Sequence, residues 1–479
     1  MSTIEFPPAE RVSLVGDFTR GELIGAGSAT AVFGVGATGG RLLAAIVVSA
    51  AILAWTFVPT RRRPLRIIVP AALRWRLRRD RTWSATIRPS ASPPKLPSFL
   101  RGVDLEVVNG LDGSPVGVVA NRDSYTVMFE VSRPALTYVS PAEQTHALAE
   151  WGEVLTGLCV ERNSELVAER VGWTDVHRAA DPAALQRHHV ERGVAGPATA
   201  DYEDYLGRFG TLAAHHEVVV WATVTRRGRF RVAKRLGLSG SPGEVMCAAA
   251  VHAGEALRTE LAGRRFTTSP LWTPAQIGRS VTRALDPYGP LEALSERERF
   301  DLAERVGPES HVDVERDVVA VDRALHRVFA VTFPTTPVDA LWMWQPLAVP
   351  GPKIVTTVFE PVAPSRADRE RDSRRSVGTR NNRAAAGERD GHVKVGNLRK
   401  VDALHRAERA VADGHAELDG YCLVTISGRT RGELDRNCQR LRQAIRQAGR
   451  GAVRELSGNH DFGLAAALPI GAHVAVDQG

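Results

Sequence analysis

The chain has 479 residues, 43% hydrophobic and 24% charged, with a formal net charge of +8 and a pI of about 9.7. That length accommodates two or three domains, and a mean hydropathy of −0.16 excludes a polytopic transporter. Four cysteines, far apart and without a CxxC pair, exclude a zinc-finger or disulfide framework and fit a reducing compartment.

From the N-terminus, Leu42 to Val58 carries no charge and is just long enough for a hydrocarbon core of roughly 30 Å. A Gly-rich apolar stretch, Leu23 to Thr38, precedes it across Gly39, Gly40 and Arg41. Gly21-x-x-x-Gly25 and Gly36-x-x-x-Gly40 fit the small-xxx-small packing pattern, which also arises by chance in Gly-rich sequence. Glu5, Glu10 and Asp17 argue against a cleavable signal. Arg61, Arg62, Arg63, Arg66, Arg74, Arg76, Arg78, Arg79 and Arg81 follow at once, and arginines beside a span stay on the cytoplasmic side. The expectation is a transmembrane helical hairpin within residues 1–58, placing the protein in the inner membrane with two spans and a cytoplasmic body. If only the second segment spans, the N-terminus lies outside.

Residues 59–100 form a juxtamembrane region. Leu65, Ile67, Ile68, Leu73, Trp75, Leu77 and Trp83 alternate with the arginines as a basic amphipathic segment suited to anionic lipid headgroups. Arg88 to Ser98 is a Pro/Ser linker.

The body is α+β. Val103 to Val108, Pro115 to Ala120 and Tyr125 to Val131 read as an antiparallel meander broken by Asn109-Gly110, Asp112-Gly113 and Asn121-Arg122-Asp123. Pro141 opens a helix to about Val160, with Trp151, Val154 and Leu155 on one face. Glu165 to Trp173 and Glu217 to Thr225 read as strands, Gly243 to Leu261 and Trp272 to Leu285 as helices. This order suggests ferredoxin-like split βαβ units. A second round follows: strands at His326 to Phe333, Lys353 to Val362 and Tyr421 to Ser427, a helix at Thr430 to Gln447, and a strand at Ala452 to Leu456. The expected domains are 101–300 and 301–479, the second with a charged insertion at about 364–417. No repeat is strict enough to prove duplication.

Chemistry is sparse. A phosphate-cradling GxxxxGK[ST] loop is excluded, because no Gly-Lys dipeptide occurs among the five lysines Lys95, Lys234, Lys353, Lys394 and Lys400. Adjacent histidines point apart, so His188-His189 and His215-His216 read as solvated histidines at element ends. Neither HExxH nor GxSxG is present, and Ser239-Gly-Ser-Pro-Gly243 has the wrong spacing for a nucleophile elbow. No catalytic residue, cofactor or metal site is expected. Trp342, Met343 and Trp344 read either as a packed helix end before Pro346 or as an exposed docking patch. In Arg366 to Arg383, Asp368, Glu370 and Asp372 offset the arginines, which favours a solvated helix over a nucleic-acid site.

The residues described so far resemble a known family. They are the apolar hairpin with its arginine exit; Pro115-Val-Gly-Val-Val119 with Tyr125-Thr-Val127; the Trp151 helix; Val355 to Pro361; Leu423-Val-Thr425 with its helix; and Ala465-Ala-Ala-Leu-Pro469. The chain is similar to actinobacterial integral membrane proteins of conjugative, type IV-like secretion systems. In those, a PrgI-like two-span module is fused to a domain like the non-ATPase N-terminal half of TraC/TraE-type conjugation ATPases. The resemblance implies a non-enzymatic scaffold for protein or DNA transport, oligomeric or part of a large complex, that docks a separate ATPase. The type VII secretion component EccE shares the plan and is the alternative, beside a membrane-tethered nucleic-acid- or lipid-binding module.

Overall fold

The computed structural model describes residues 96–122, 124–132, 141–159, 168–179, 214–226, 236–264, 266–289, 310–332, 349–361, 418–447 and 452–472. Shorter described pieces lie at 3–4, 13–15, 18–19, 27–35, 42–57, 59–60, 63–64, 81–84, 234, 307–308, 338–339 and 409. Contacts divide the chain into one unit of 1–6, 80–361 and 416–476 and a second of 7–79, 362–415 and 477–479.

The second unit contains helix α1 (Leu42–Phe57) and a shorter helical run over 27–35. They meet through small residues. Ala29 and Ala45 are buried, and the Ser49 hydroxyl donates to the Ala29 carbonyl at 2.8 Å. Phe33, Val35, Ile46, Val47 and Val48 remain exposed. The glycines of both GxxxG patterns lie outside the described residues.

These lengths overturn the expected transmembrane hairpin. With 16 residues, α1 rises about 24 Å at 1.5 Å per residue, short of the roughly 30 Å of hydrocarbon. Among the described residues no helix is long and apolar enough to cross a membrane. The expected two-span, inner-membrane placement with a cytoplasmic body falls with it, because the arginine rule that oriented the body presupposes a span.

The first unit is built on a 13-stranded sheet in which every strand pair is antiparallel. In chain order it comprises β1 (Thr82–Ser84), β2 (Asp104–Asn109), β3 (Pro115–Ala120), β4 (Ser124–Ser132), α2 (Pro141–Cys159), β5 (Arg170–Ala179), β6 (Ala214–Thr225), α3 (Pro242–Ala262), β7 (Thr267–Thr268) and α4 (Pro274–Leu285). There follow β8 (His311–Val314), β9 (Val319–Val321), β10 (Ala324–Thr332), β11 (Lys353–Pro361), β12 (Leu418–Gly428), α5 (Arg431–Gln447), β13 (Ala452–Glu455) and α6 (His460–Ala467). The expected fold class, a membrane hairpin leading into an α+β body, is replaced by this single large antiparallel sheet with helices packed on both sides.

Sheet order shows an internal repeat. One half reads β2-β3-β4-β6-β5 and the other β8-β9-β10-β12-β11, joined by the pairing of β5 with β11. After α3, β7 pairs with the end of β4; after α5, β13 pairs with the end of β10. The return strand is fixed alike in both halves: Trp272 N–H donates to Met128 O at 2.9 Å, and Leu456 N–H to Val328 O at 3.0 Å. The two halves share residues at matching places. Val118-Val119-Ala120, Phe129 and Val131 recur as Val318-Val319-Ala320, Phe329 and Val331.

Local chemistry sets the helices. Ser241-Pro-Gly-Glu244, which overlaps the run Ser239 to Gly243 set aside above as a nucleophile elbow, is the capping box that starts α3; Thr273-Pro-Ala-Gln276 starts α4 in the same way. Helices α2 and α3 cover one sheet face over Val127, Phe129, Val220 and Ala222, and α5 covers the same face over Phe329, Val424 and Ile426. Near the join, Trp151 of α2 meets Trp173 of β5 edge-on, with ring centroids 5.1 Å apart. Helices α4 and α6 lie on the opposite face, so the central strands are buried on both sides and read as near-continuous apolar runs.

The arms on that second face are exchanged. Helix α4 belongs to the first half, yet its last carbonyl, Leu285 O, is bound by His326 Nε2 of β10 at 2.7 Å. The segment after α6 belongs to the second half, yet Asn121 Nδ2 donates to Ile470 O at 2.7 Å and Arg170 Nη1 to Gly471 O at 3.3 Å.

Candidate functional site

Side-chain alternation along an antiparallel strand places residues two apart on one face, so Asp175 and His177 of β5 point the same way. The register then sets His216 of β6 directly beside His177 on one flank and Lys353 of β11 beside it on the other. Asp175 lies between Val218 and Val355, which bury it to 5% exposure. Its Oδ1 is 2.5 Å from His216 Nε2 and 2.8 Å from His177 Nε2. The two imidazole rings are 4.5 Å apart between centroids and tilted by 40°. Lys353 is buried, and its Nζ donates to Val349 O at 2.5 Å.

The contacts divide protons unevenly. Burial alone would raise Asp175, but hydrogen bonds and charge from the two imidazoles outweigh it and hold the carboxyl below its usual range. His177 is pushed down by burial, which the adjacent Asp175 carboxylate only partly offsets. His216 goes up, because its hydrogen bond to Asp175 exceeds the cost of burial. Burial pushes Lys353 down to about 8 against the pull of Asp175. The cluster thus offers two imidazole nitrogens and a carboxylate oxygen within 4.8 Å of one another, a donor set that a divalent metal ion can use.

The back of the same strands is structural. Glu217 accepts from Arg178 Nη2 at 3.1 Å and from Ser280 Oγ of α4 at 2.8 Å, tying that helix to the sheet beneath the cluster. A second concavity, about 470 Å³, is lined among others by Asp104, Glu106, Arg122, Tyr125 and Arg226.

The residues singled out in the sequence do not converge here. Arg61, Arg62, Arg66, Arg74, Arg76, Arg78 and Arg79 lie outside the described residues. Arg63 falls in a two-residue strand opposite Thr60. Arg81 is half-buried, and its carbonyl accepts from Val314 N–H at 2.8 Å as the chain enters β1. The end of the supposed amphipathic segment is therefore sheet, with Trp83 paired to Val312. Trp342, Met343 and Trp344, and the pair His188-His189, also lie outside the described residues. Asp175 and His177 were missed and His216 was set aside, because His215-His216 was weighed only against its sequence neighbours. The available signal was the i, i+2 spacing of Asp175 and His177, which lie just past the expected strand Glu165 to Trp173 and inside the observed one, Arg170–Ala179.

Comparison with protein-family models and with curated proteins finds no match.

Proposed function

We propose that the protein is a non-enzymatic scaffold of a conjugative, type IV-like secretion apparatus that docks a separate ATPase. The observation supporting this reading is the internal repeat. Two like halves, hydrogen-bonded through β5 and β11 and locked by exchanged arms, make a platform that offers each partner-facing surface twice. Their packing suits a rigid support: Trp221, Phe129 and Phe329 are fully buried, and both sheet faces are taken up by helices. The apparatus itself is suggested by the resemblance in Pro115-Val-Gly-Val-Val119, Val355 to Pro361 and Ala465 to Pro469.

The test is crosslinking and affinity capture of the tagged chain from its native cells, with mass spectrometry of what is recovered. Recovery of a Walker-motif ATPase together with channel proteins is the expected result, and the ATPase's identity separates conjugative from type VII systems. Recovery of the chain alone overturns the proposal, as does ATP hydrolysis that tracks the purified protein.

A further inference from the structure

We infer that Asp175, His177 and His216 form a binding site for a divalent metal ion of the zinc class. The site comes from strand register rather than from a loop: Asp175 and His177 are held by the backbone ladder on both sides, and His216 by its pairing with His177. The two nitrogen-to-oxygen separations, 2.5 and 2.8 Å, are slightly shorter than the spacing of donors around a bound ion. Ligands at about 2.0–2.1 Å from tetrahedral zinc stand roughly 3.3 Å apart, so an opening of less than about 1 Å admits the ion.

The second observation is His177 Nε2. This atom is fully buried and lies 2.8 Å from Asp175 Oδ1, yet it is not aligned for a hydrogen bond and has no other partner among the described residues. A buried nitrogen whose one polar neighbour is poorly aligned is incompletely satisfied, and donation of its lone pair to a metal would satisfy it. The His216 side chain is 44% exposed, which gives the ion a path from solvent and leaves a coordination position open. Two imidazoles and one carboxylate suit zinc better than calcium or magnesium, which prefer all-oxygen shells. The Lys353 ammonium is turned to the Val349 carbonyl, and so serves as a nearby charge rather than a ligand.

The test uses the full-length chain without a histidine tag, stripped by a chelator, then titrated with Zn²⁺ against a chromogenic competitor and with Co²⁺ by absorption. The expected result is one ion per chain, with the visible absorption of tetrahedral cobalt. His216→Gln should weaken binding by at least about tenfold. Because that side chain is half-exposed, the variant should fold and keep the wild-type circular dichroism. Asp175→Asn is the second variant and should bind no better. Absence of zinc uptake overturns the site and leaves a cluster held by hydrogen bonds alone. Uptake by folded His216→Gln equal to wild type overturns it too, since the ion would then lie elsewhere.

Discussion

Thr126 and His326 hold the same position in the two halves, one on β4 and the other on β10, and each receives the arm of the opposite half. Both are fully buried. Thr126 Oγ1 packs so closely on Gly471, at φ +66°, that a Cβ there would stand 2.0 Å away; His326 binds the end of α4 through Leu285 O. The same strand position thus meets the incoming arm by packing in one half and by a hydrogen bond in the other.

His326 gives the molecule an acid-sensitive point. Burial lowers it to about 4, outweighing the Leu285 carbonyl. That carbonyl only accepts, so Nε2 carries the proton and Nδ1 accepts from Ser427 Oγ at 2.9 Å. Well above pH 6.5 neither the folded nor the unfolded form is protonated at this residue. As pH falls from about 6.5 to 4, only the unfolded chain takes up the proton, so stability drops by about 3 kcal/mol. Denaturant titrations between pH 7 and 4 should show this slope, and His326→Gln should flatten it. An unchanged slope in the variant would contradict the assignment.

Gly172 is irreplaceable for a steric reason. It stands opposite Trp221 in the β5–β6 register, and the fully buried indole lies over it. A Cβ at Gly172 would fall 1.9 Å from Trp221 Cε2. Gly172→Ala should destabilise the protein by more than about 3 kcal/mol, read as a lower urea midpoint or loss of soluble protein. Adding Trp221→Leu should cost less than the two single changes summed, because the clash is removed.

The join between halves carries a buried polar contact. Thr356 Oγ1 lies 3.1 Å from Thr174 Oγ1 and also reaches Ala467 O, and Trp221 Nε1 donates to Thr174 Oγ1 at 3.0 Å. Thr356→Val keeps the shape but strands the Ala467 carbonyl, and should cost about 1–3 kcal/mol in chemical denaturation. A neutral result would mean that the carbonyl finds another partner.

Cys247, Cys422 and Cys438 should be inert in the folded state. Burial pushes Cys247 and Cys422 up to about 12 and Cys438 up to about 11. At pH 8 their alkylation should run at least about a hundredfold slower than that of a free thiol, and recover in denaturant. Peptide mass spectrometry after a timed iodoacetamide pulse measures each residue separately. Rapid native labelling of Cys422 would show that β12 opens.

Legibility followed locality. Strand Pro115–Ala120 and helix Pro274–Leu285 carry their own signals, in turn residues on one side and a capping residue with proline on the other. Leu42–Phe57 misled because hydropathy is the same for a helix that spans and one that does not; its ends were read to within one residue, and a segment of that length is at the limit of what can span. Pairing of Thr174 with Thr356 joins residues 182 apart, and nothing near either reports the other. The repeat was faintly visible in Val118-Val119-Ala120 and Val318-Val319-Ala320, but too little identity surrounds them to establish it without the strand order. Asp175, His177 and His216 are joined by register, which a single sequence states only once the hairpin is known.

The exchanged arms also bear on how the chain is made. The first half has its strands and helices in place by about residue 289, yet Asn121 and Arg170 still wait for Ile470 and Gly471. A ribosome must therefore deliver nearly two hundred further residues before the first half is sealed. Until β11 (Lys353–Pro361) emerges, earlier in that interval, β5 offers the polypeptide an open strand edge that β11 closes, and anything that stalls synthesis before then leaves the edge for a neighbouring nascent chain.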